Sequence, residues 1–118
     1  MPDVYHRRGF AYVELGDLEK AIQDFTKTTE LAPNHPDPYT DRGAAYATLG
    51  NFEQAIQDYD KAIELDHEHV LAHFNRGRAY NEIGNYQGAI EDFTKVIELN
   101  PNAPVSEEAQ DILQKLSR

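Results

Sequence analysis

An interval of 34 residues governs this chain. Gly9, Gly43 and Gly77 fall into register at that interval, as do Tyr12, Tyr46 and Tyr80, and then Gly16, Gly50 and Gly84. Ala21, Ala55 and Ala89 follow, then Ile22, Ile56 and Ile90, then Leu31, Leu65 and Leu99. A fixed period of this length marks a helical repeat array, whose units stack because none can bury its apolar face alone. In the first unit, Tyr5, Gly9, Tyr12 and Leu15 recur at helical spacing, and Ala21, Ile22, Phe25 and Leu31 do so again. Gly16-Asp17 breaks the first helix and Ala32-Pro33-Asn34 stops the second. Helices joined by so short a turn pack antiparallel. The chain therefore reads as all-α: one domain over residues 1–118, with helical hairpins at 2–35, 36–69 and 70–103.

Beyond Asn100-Pro101-Asn102 the period fails, and residues 104–118 read as a capping helix. Ser106 is its expected N-cap, ahead of Glu107 and Glu108. A narrow stripe of Ala109, Ile112, Leu113 and Leu116 suits a helix covering the end of a stack. No such helix precedes the first unit, so the array reads as an excised piece or as the start of a longer one. Within the units, Gly9 with Ala21, and their repeats, mark the closest helix approach, while Tyr12 with Phe25, and theirs, supply buried area. Gly88 lies inside a helix, where Gly costs about 0.8–1 kcal/mol relative to Ala. Gly88→Ala is therefore expected to stabilise unless something packs tightly there.

A formal net charge of −10 repels phosphate backbones and anionic lipid. Nucleic acid and membrane are accordingly not expected partners, whereas a basic or amphipathic protein or peptide is. The same acidic surplus also serves solubility. No run approaches the ~20 apolar residues of a membrane span, and no basic-then-apolar leader opens the chain. Cysteine is absent, which removes disulfides, thiolate metal sites and cysteine nucleophiles and accords with a cytoplasmic, reducing setting.

Little else points to chemistry. Serine occurs only as Ser106 and Ser117, which leaves no triad. Carboxylates recur as solvated columns such as Glu30, Glu64 and Glu98, three residues after Lys27, Lys61 and Lys95. His69 and His73, four apart and close to His67, have a spacing that can seat two imidazoles on one metal. His69, however, falls at the turn between units, and a capping or solvated role is expected. No catalytic site, cofactor or metal is expected.

The Gly, Tyr, Gly-Asp/Asn, Ala, aromatic and Pro columns resemble the tetratricopeptide repeat family over nearly the whole chain. Two positions depart: His73 stands in the column of Tyr5 and Tyr39, and His67 in that of Pro33 and Pro101. The resemblance implies a right-handed superhelix of three helical hairpins plus the C-terminal capping helix, an α-solenoid whose first helices line a concave groove. It also implies a non-catalytic scaffold for protein–protein interaction, binding a peptide or protein segment. Structural self-association through the uncovered first helix pair is the competing reading, and the expected state is a monomer or weak homodimer.

Two patterns come from the residues themselves. Arg8, Arg42 and Arg76 recur in step with Asp24, Asp58 and Asp92 at matching heights on paired helices, which predicts an ion pair within or between units. With Tyr5, Gly9 and Tyr12 turned inward, the opposite face carries the candidate groove residues. These are His6, Phe10 and Val13, then Thr40, Asp41 and Ala44, then Leu71, Phe74, Asn75 and Arg78. Phe10 and Phe74 either fold onto a neighbouring unit or stand as binding anchors. Co-chaperone members of the resembled family grip a terminal carboxylate with Lys, Arg and Asn. The matching places here hold His6, Phe10, Asp41, Leu71 and Asn75, of which only Asn75 fits, so that mechanism is not expected.

Overall fold

Each helix starts and ends where local chemistry dictates. The computed structural model describes residues 2–117. Among them run α1 (Pro2–Glu14), α2 (Leu18–Leu31), α3 (Pro36–Thr48), α4 (Phe52–Leu65), α5 (Val70–Glu82), α6 (Tyr86–Leu99) and α7 (Pro104–Leu116), with no strand. The side chain of Asp17 accepts from the Lys20 backbone N–H at the start of α2, and Asn85 does the same for Gly88 in α6. Proline opens α3 and α7, where its missing N–H costs nothing. Gly16, Gly50 and Gly84 end the first helix of each hairpin with φ between 80 and 82°, a left-handed conformation that glycine adopts without a Cβ penalty.

Within each hairpin the glycine of the first helix lies under an aromatic ring of the second. A Cβ on Gly9 would stand 2.6 Å from Phe25 Cε1, and one on Gly43 2.6 Å from Tyr59 Cε1. Gly77 sits likewise under Phe93, where a Cβ would come within 2.9 Å. Phe25, Tyr59 and Phe93 are buried, as are Ala21, Ala55 and Ala89. The glycine column thus accommodates rings, which is a sharper role than the general close approach expected from small residues. Successive hairpins then pack α2 on α3 and α4 on α5, giving an elongated body of 45 × 25 × 22 Å.

The arginine columns form the ion pairs that the repetition predicts. Arg8 Nε and Nη2 donate to the two Asp24 oxygens, both at 2.8 Å. Arg42 holds Asp58 at 2.9 and 2.6 Å, and Arg76 holds Asp92 at 2.8 and 2.7 Å. The free guanidinium nitrogen reaches back to the preceding hairpin: Arg42 Nη1 to Thr26 Oγ1 at 3.2 Å, Arg76 Nη1 to Asp60 Oδ1 at 2.9 Å. Thr26 and Asp60 occupy the same repeat position, so one arginine both closes its own hairpin and ties it to its neighbour. Arg8 has no such second contact, and its side chain is 55% exposed against 18% for Arg42. Bonds to Asp24 hold the Arg8 guanidinium above its already high ordinary pKa, so it stays charged.

α7 covers the far end. Ala109 is buried, and Val105, Ile112, Leu113 and Leu116 pack with it on the cluster around Phe74, Phe93 and Val96. The helix begins at Pro104 behind Ala103, so Ser106 is inside its first turn rather than its N-cap. The buried Ser106 hydroxyl instead donates to the carbonyls of Asn100 and Val96, adding a second bond to groups that already accept the Ala103 and Asn100 backbone N–H and so tying α7 to the end of α6. The capping-helix reading extends to Arg118, which lies outside the described residues.

Gly88 also departs from expectation. A Cβ there would stand 2.9 Å from Tyr80 Cδ2 and 3.1 Å from Asn85 Nδ2, so the ring and the cap both have to move. Gly88→Ala is therefore expected to leave the protein no more stable, with a loss of up to about 2 kcal/mol as overpacking outweighs the helix-propensity gain. Urea unfolding of the variant checks this.

Candidate functional site

The histidines near the second inter-hairpin turn serve the fold. Tyr39 donates its hydroxyl to the Pro33 carbonyl at 3.0 Å. One repeat later the same bond is made by different residues, His73 Nε2 to the His67 carbonyl at 2.9 Å. His73 thus keeps the bond that Tyr39 makes, to a backbone carbonyl that His67 supplies as well as proline does. His69 Nδ1 accepts from the Ala72 N–H, capping α5, while its Nε2 lies 2.8 Å from Asp37 on α3. Both nitrogens of His69 are thereby engaged, and no cluster of three or more potential metal ligands occurs among the described residues.

The first helices of successive hairpins lie side by side, and two clefts open between them. One, of about 100 Å³, lies between α1 and α3, with Phe10 and Val13 on one wall, Asp41, Ala44 and Thr48 on the other, and Phe25 below. The second, of about 350 Å³, lies between α3 and α5. Its walls are Ala44, Ala47 and Thr48 facing Asn75, Arg78 and Glu82, and Tyr59 and Phe52 lie below. Ala44 and Thr48 line both clefts, so the two form one groove across α1, α3 and α5.

Polar groups stand along this groove in distinct states. His6 Nε2 lies 2.7 Å from Asp41 Oδ2, joining α1 to α3. Burial pushes the Asp41 carboxyl above the ordinary carboxylate range, and His6 pulls against that shift. Asn75, Arg78 and Glu82 make no hydrogen bond or ion pair with other described side chains; Arg78 stacks only over the Phe74 ring, 5.9 Å from its centroid. Their donors and acceptors are free for an incoming group.

Two tetratricopeptide repeat models match the chain, over residues 1–68 and 40–104. The chain belongs to the tetratricopeptide repeat family. The first such domain of Spaghetti (RPAP3), solved with the HSP90 peptide SRMEEVD, is 31% identical with a TM-score of 0.92, covering 98% of this chain and 92% of that one. The Arabidopsis OM64 domain is 30% identical with a TM-score of 0.90, covering 97% and 94%. The TPR2B domain of yeast Sti1, in complex with an Hsp70 peptide, is 27% identical with a TM-score of 0.92, covering 98% and 95%. No curated protein sequence matches the chain.

In this tetratricopeptide repeat array the ten candidate groove residues divide. Phe10, Val13, Asp41, Ala44, Asn75 and Arg78 line the clefts, and His6 joins them through Asp41. Leu71 is exposed but lines neither cleft. Thr40 and Phe74 do not face the groove: Thr40 is 1% exposed and bonded to the Pro36 carbonyl, and Phe74 is 3% exposed and packed on Phe93. Phe10 is 45% exposed, edge-on to Phe25 and beside His6. Sequence reasoning missed Phe52, Tyr59 and Ala79 of the wider cleft. They follow the repeat interval from Leu18, Phe25 and Ala45 in the narrower one, but none of the six lies on the first-helix face that the sequence marks as the groove.

Proposed function

We propose that this protein is a non-catalytic interaction scaffold that takes an extended polypeptide segment in the groove across α1, α3 and α5. The observation that carries the reading is a run of clefts whose rim groups Asn75, Arg78 and Glu82 make no hydrogen bond or ion pair with other described side chains. Arg78 and Glu82 are exposed and Asn75 is half-buried, so water serves them in the free protein and a ligand's backbone and side chains can replace it. The similar structures that hold HSP90 and Hsp70 peptides support the same use of the fold.

The partner's chemistry differs from that of an acidic tail. SRMEEVD carries carboxylates at three side chains and a terminus. Here Asp41 stands inside the groove with Asp37 near it, Phe10 and Leu71 offer no charge, and the net charge is −10. Like charges at such range oppose binding. A basic or amphipathic segment fits instead, in a cytoplasmic setting.

Calorimetric titration tests both points. SRMEEVD is expected to bind more weakly than about 1 mM, a level that corresponds to only ~4 kcal/mol. Peptides selected from a random display library are expected to be basic or amphipathic and to weaken on Arg78→Ala. Tight SRMEEVD binding that is lost on Asn75→Ala contradicts the proposal.

Self-association has one observation in its favour, the outward Arg8 position where later arginines grip a preceding hairpin. A concentration-independent monomer in light scattering removes it.

A further inference from the structure

The two clefts are one site repeated, and the difference between them points to what the larger one receives. Moving Phe10 and Val13 on by one repeat gives Ala44 and Ala47; moving Asp41 and Thr48 on gives Asn75 and Glu82. In the first cleft two bulky side chains fill the space, leaving about 100 Å³; in the second, two alanines leave about 350 Å³. The core beneath is the same in both, a buried ring from the second helix, Phe25 or Tyr59. One wall has been pared back, and the facing wall has gained Arg78 and Glu82 where the first cleft has Ala44 and Thr48.

We infer that the α3–α5 cleft is the anchor pocket of the groove and receives one tyrosine or tryptophan side chain of the bound segment. This rests on the groove reading above and adds a specificity to it. The floor of Tyr59 and Phe52 and the wall of Ala44 and Ala47 offer an apolar bed for a ring. At the rim stand a guanidinium, an amide and a carboxylate, from Arg78, Asn75 and Glu82, without hydrogen-bond or ion-pair partners among the described side chains. An aliphatic side chain would desolvate those groups and pair none of them. An acidic one meets Glu82 beside the cation. An amphipathic aromatic satisfies both halves: its face packs on the floor and under Arg78, and its OH or indole N–H reaches Glu82 or Asn75. Such side chains are the usual anchors of polypeptide recognition.

The test uses N-acetyl-tyrosinamide, N-acetyl-tryptophanamide and N-acetyl-leucinamide, with backbone amide shifts of the labelled protein as the readout. The aromatic amides are expected to shift Asn75, Ala79 and Glu82, and the leucine amide to do so at least about threefold less. Arg78→Met, an exposed site that leaves the core intact, is expected to weaken the aromatic amides about two- to fivefold. The double change Ala44→Phe with Ala47→Val, which gives α3 the residues α1 carries, is expected to abolish the response. Equal shifts from leucine, shifts confined to the α1–α3 cleft, or no shifts at all overturn the assignment. Library peptides that bind the groove without an aromatic residue, unaffected by the double change, overturn the pocket and leave the groove reading standing. Failure to select any groove-binding peptide removes both.

Discussion

Arg42→Ala is expected to cost about 3–5 kcal/mol of unfolding free energy, the range for removing one partner of a buried ion pair. The loss is large because Asp58, 7% exposed, is left without its two guanidinium bonds in a site that water barely reaches. The same change also severs the link to Thr26 on the preceding hairpin. In this small domain the melting temperature should fall on the order of 10–20 °C. Arg76→Ala should behave alike; Arg8→Ala also strands a carboxylate, Asp24, that is 7% exposed, but it severs no backward contact and its own site is 55% exposed and open to water, so it should cost less. Replacing both Arg42 and Asp58 by apolar residues of similar size should recover most of the loss, since an apolar pair leaves no unpaired charge. Chemical denaturation of the four variants checks the ranking. Equal losses at all three arginines would mean that burial and the backward contact do not set the cost.

Gly43→Ala carries the second large effect. Alanine is the better helix former by about 1 kcal/mol, and on an open helix it would stabilise. Here the added carbon falls 2.6 Å from Tyr59 Cε1 and 2.9 Å from Cδ1, against a ring that is buried and has nowhere to turn. The net expectation is a loss of about 1–3 kcal/mol. The reverse logic governs Gly50, where nothing lies within 4 Å but the backbone sits at φ +81°. A Cβ there is strained by conformation rather than by contact, so Gly50→Ala should cost about 1 kcal/mol and Gly50→Asn less. Thermal melts of the three variants separate the two mechanisms.

The repeat interval carried most of the architecture into view before any coordinates. A side chain that recurs every 34 residues must meet the same environment each time, so the glycines, the ring column and the arginine–aspartate pairs could be read in one dimension. α2 runs from Leu18 to Leu31 as its stop signals require, and α1 and α7 begin at Pro2 and Pro104, because proline can occupy the first turn. The groove was harder. On a helix, one residue is about 100° of rotation. Thr40 and Asp41, or Phe74 and Asn75, therefore straddle the boundary between the packed face and the open one. Periodicity cannot place that boundary, because it is set by how α5 leans on α6 and how α7 closes over the Phe74 cluster. Ser106 and Gly88 were misread for a related reason. Each is governed by a neighbour distant in the helix register, the Val96 and Asn100 carbonyls at the end of α6 for one and the Tyr80 ring for the other.

The repeat symmetry also identifies where this chain departs from itself. Alanine replaces the bulky pair at Ala44 and Ala47, Arg78 replaces a small residue, and Asn75 replaces an aspartate, all within one cleft. The changes fall on the two facing walls of that cleft, while the ring beneath it is kept.

The most direct measurement is a crystal structure of the protein with a display-selected peptide. The account predicts the peptide extended across α1, α3 and α5, with Asn75 and Arg78 bonded to it. A peptide seated on the outer helices α2, α4 and α6, with the groove left to solvent, would contradict it.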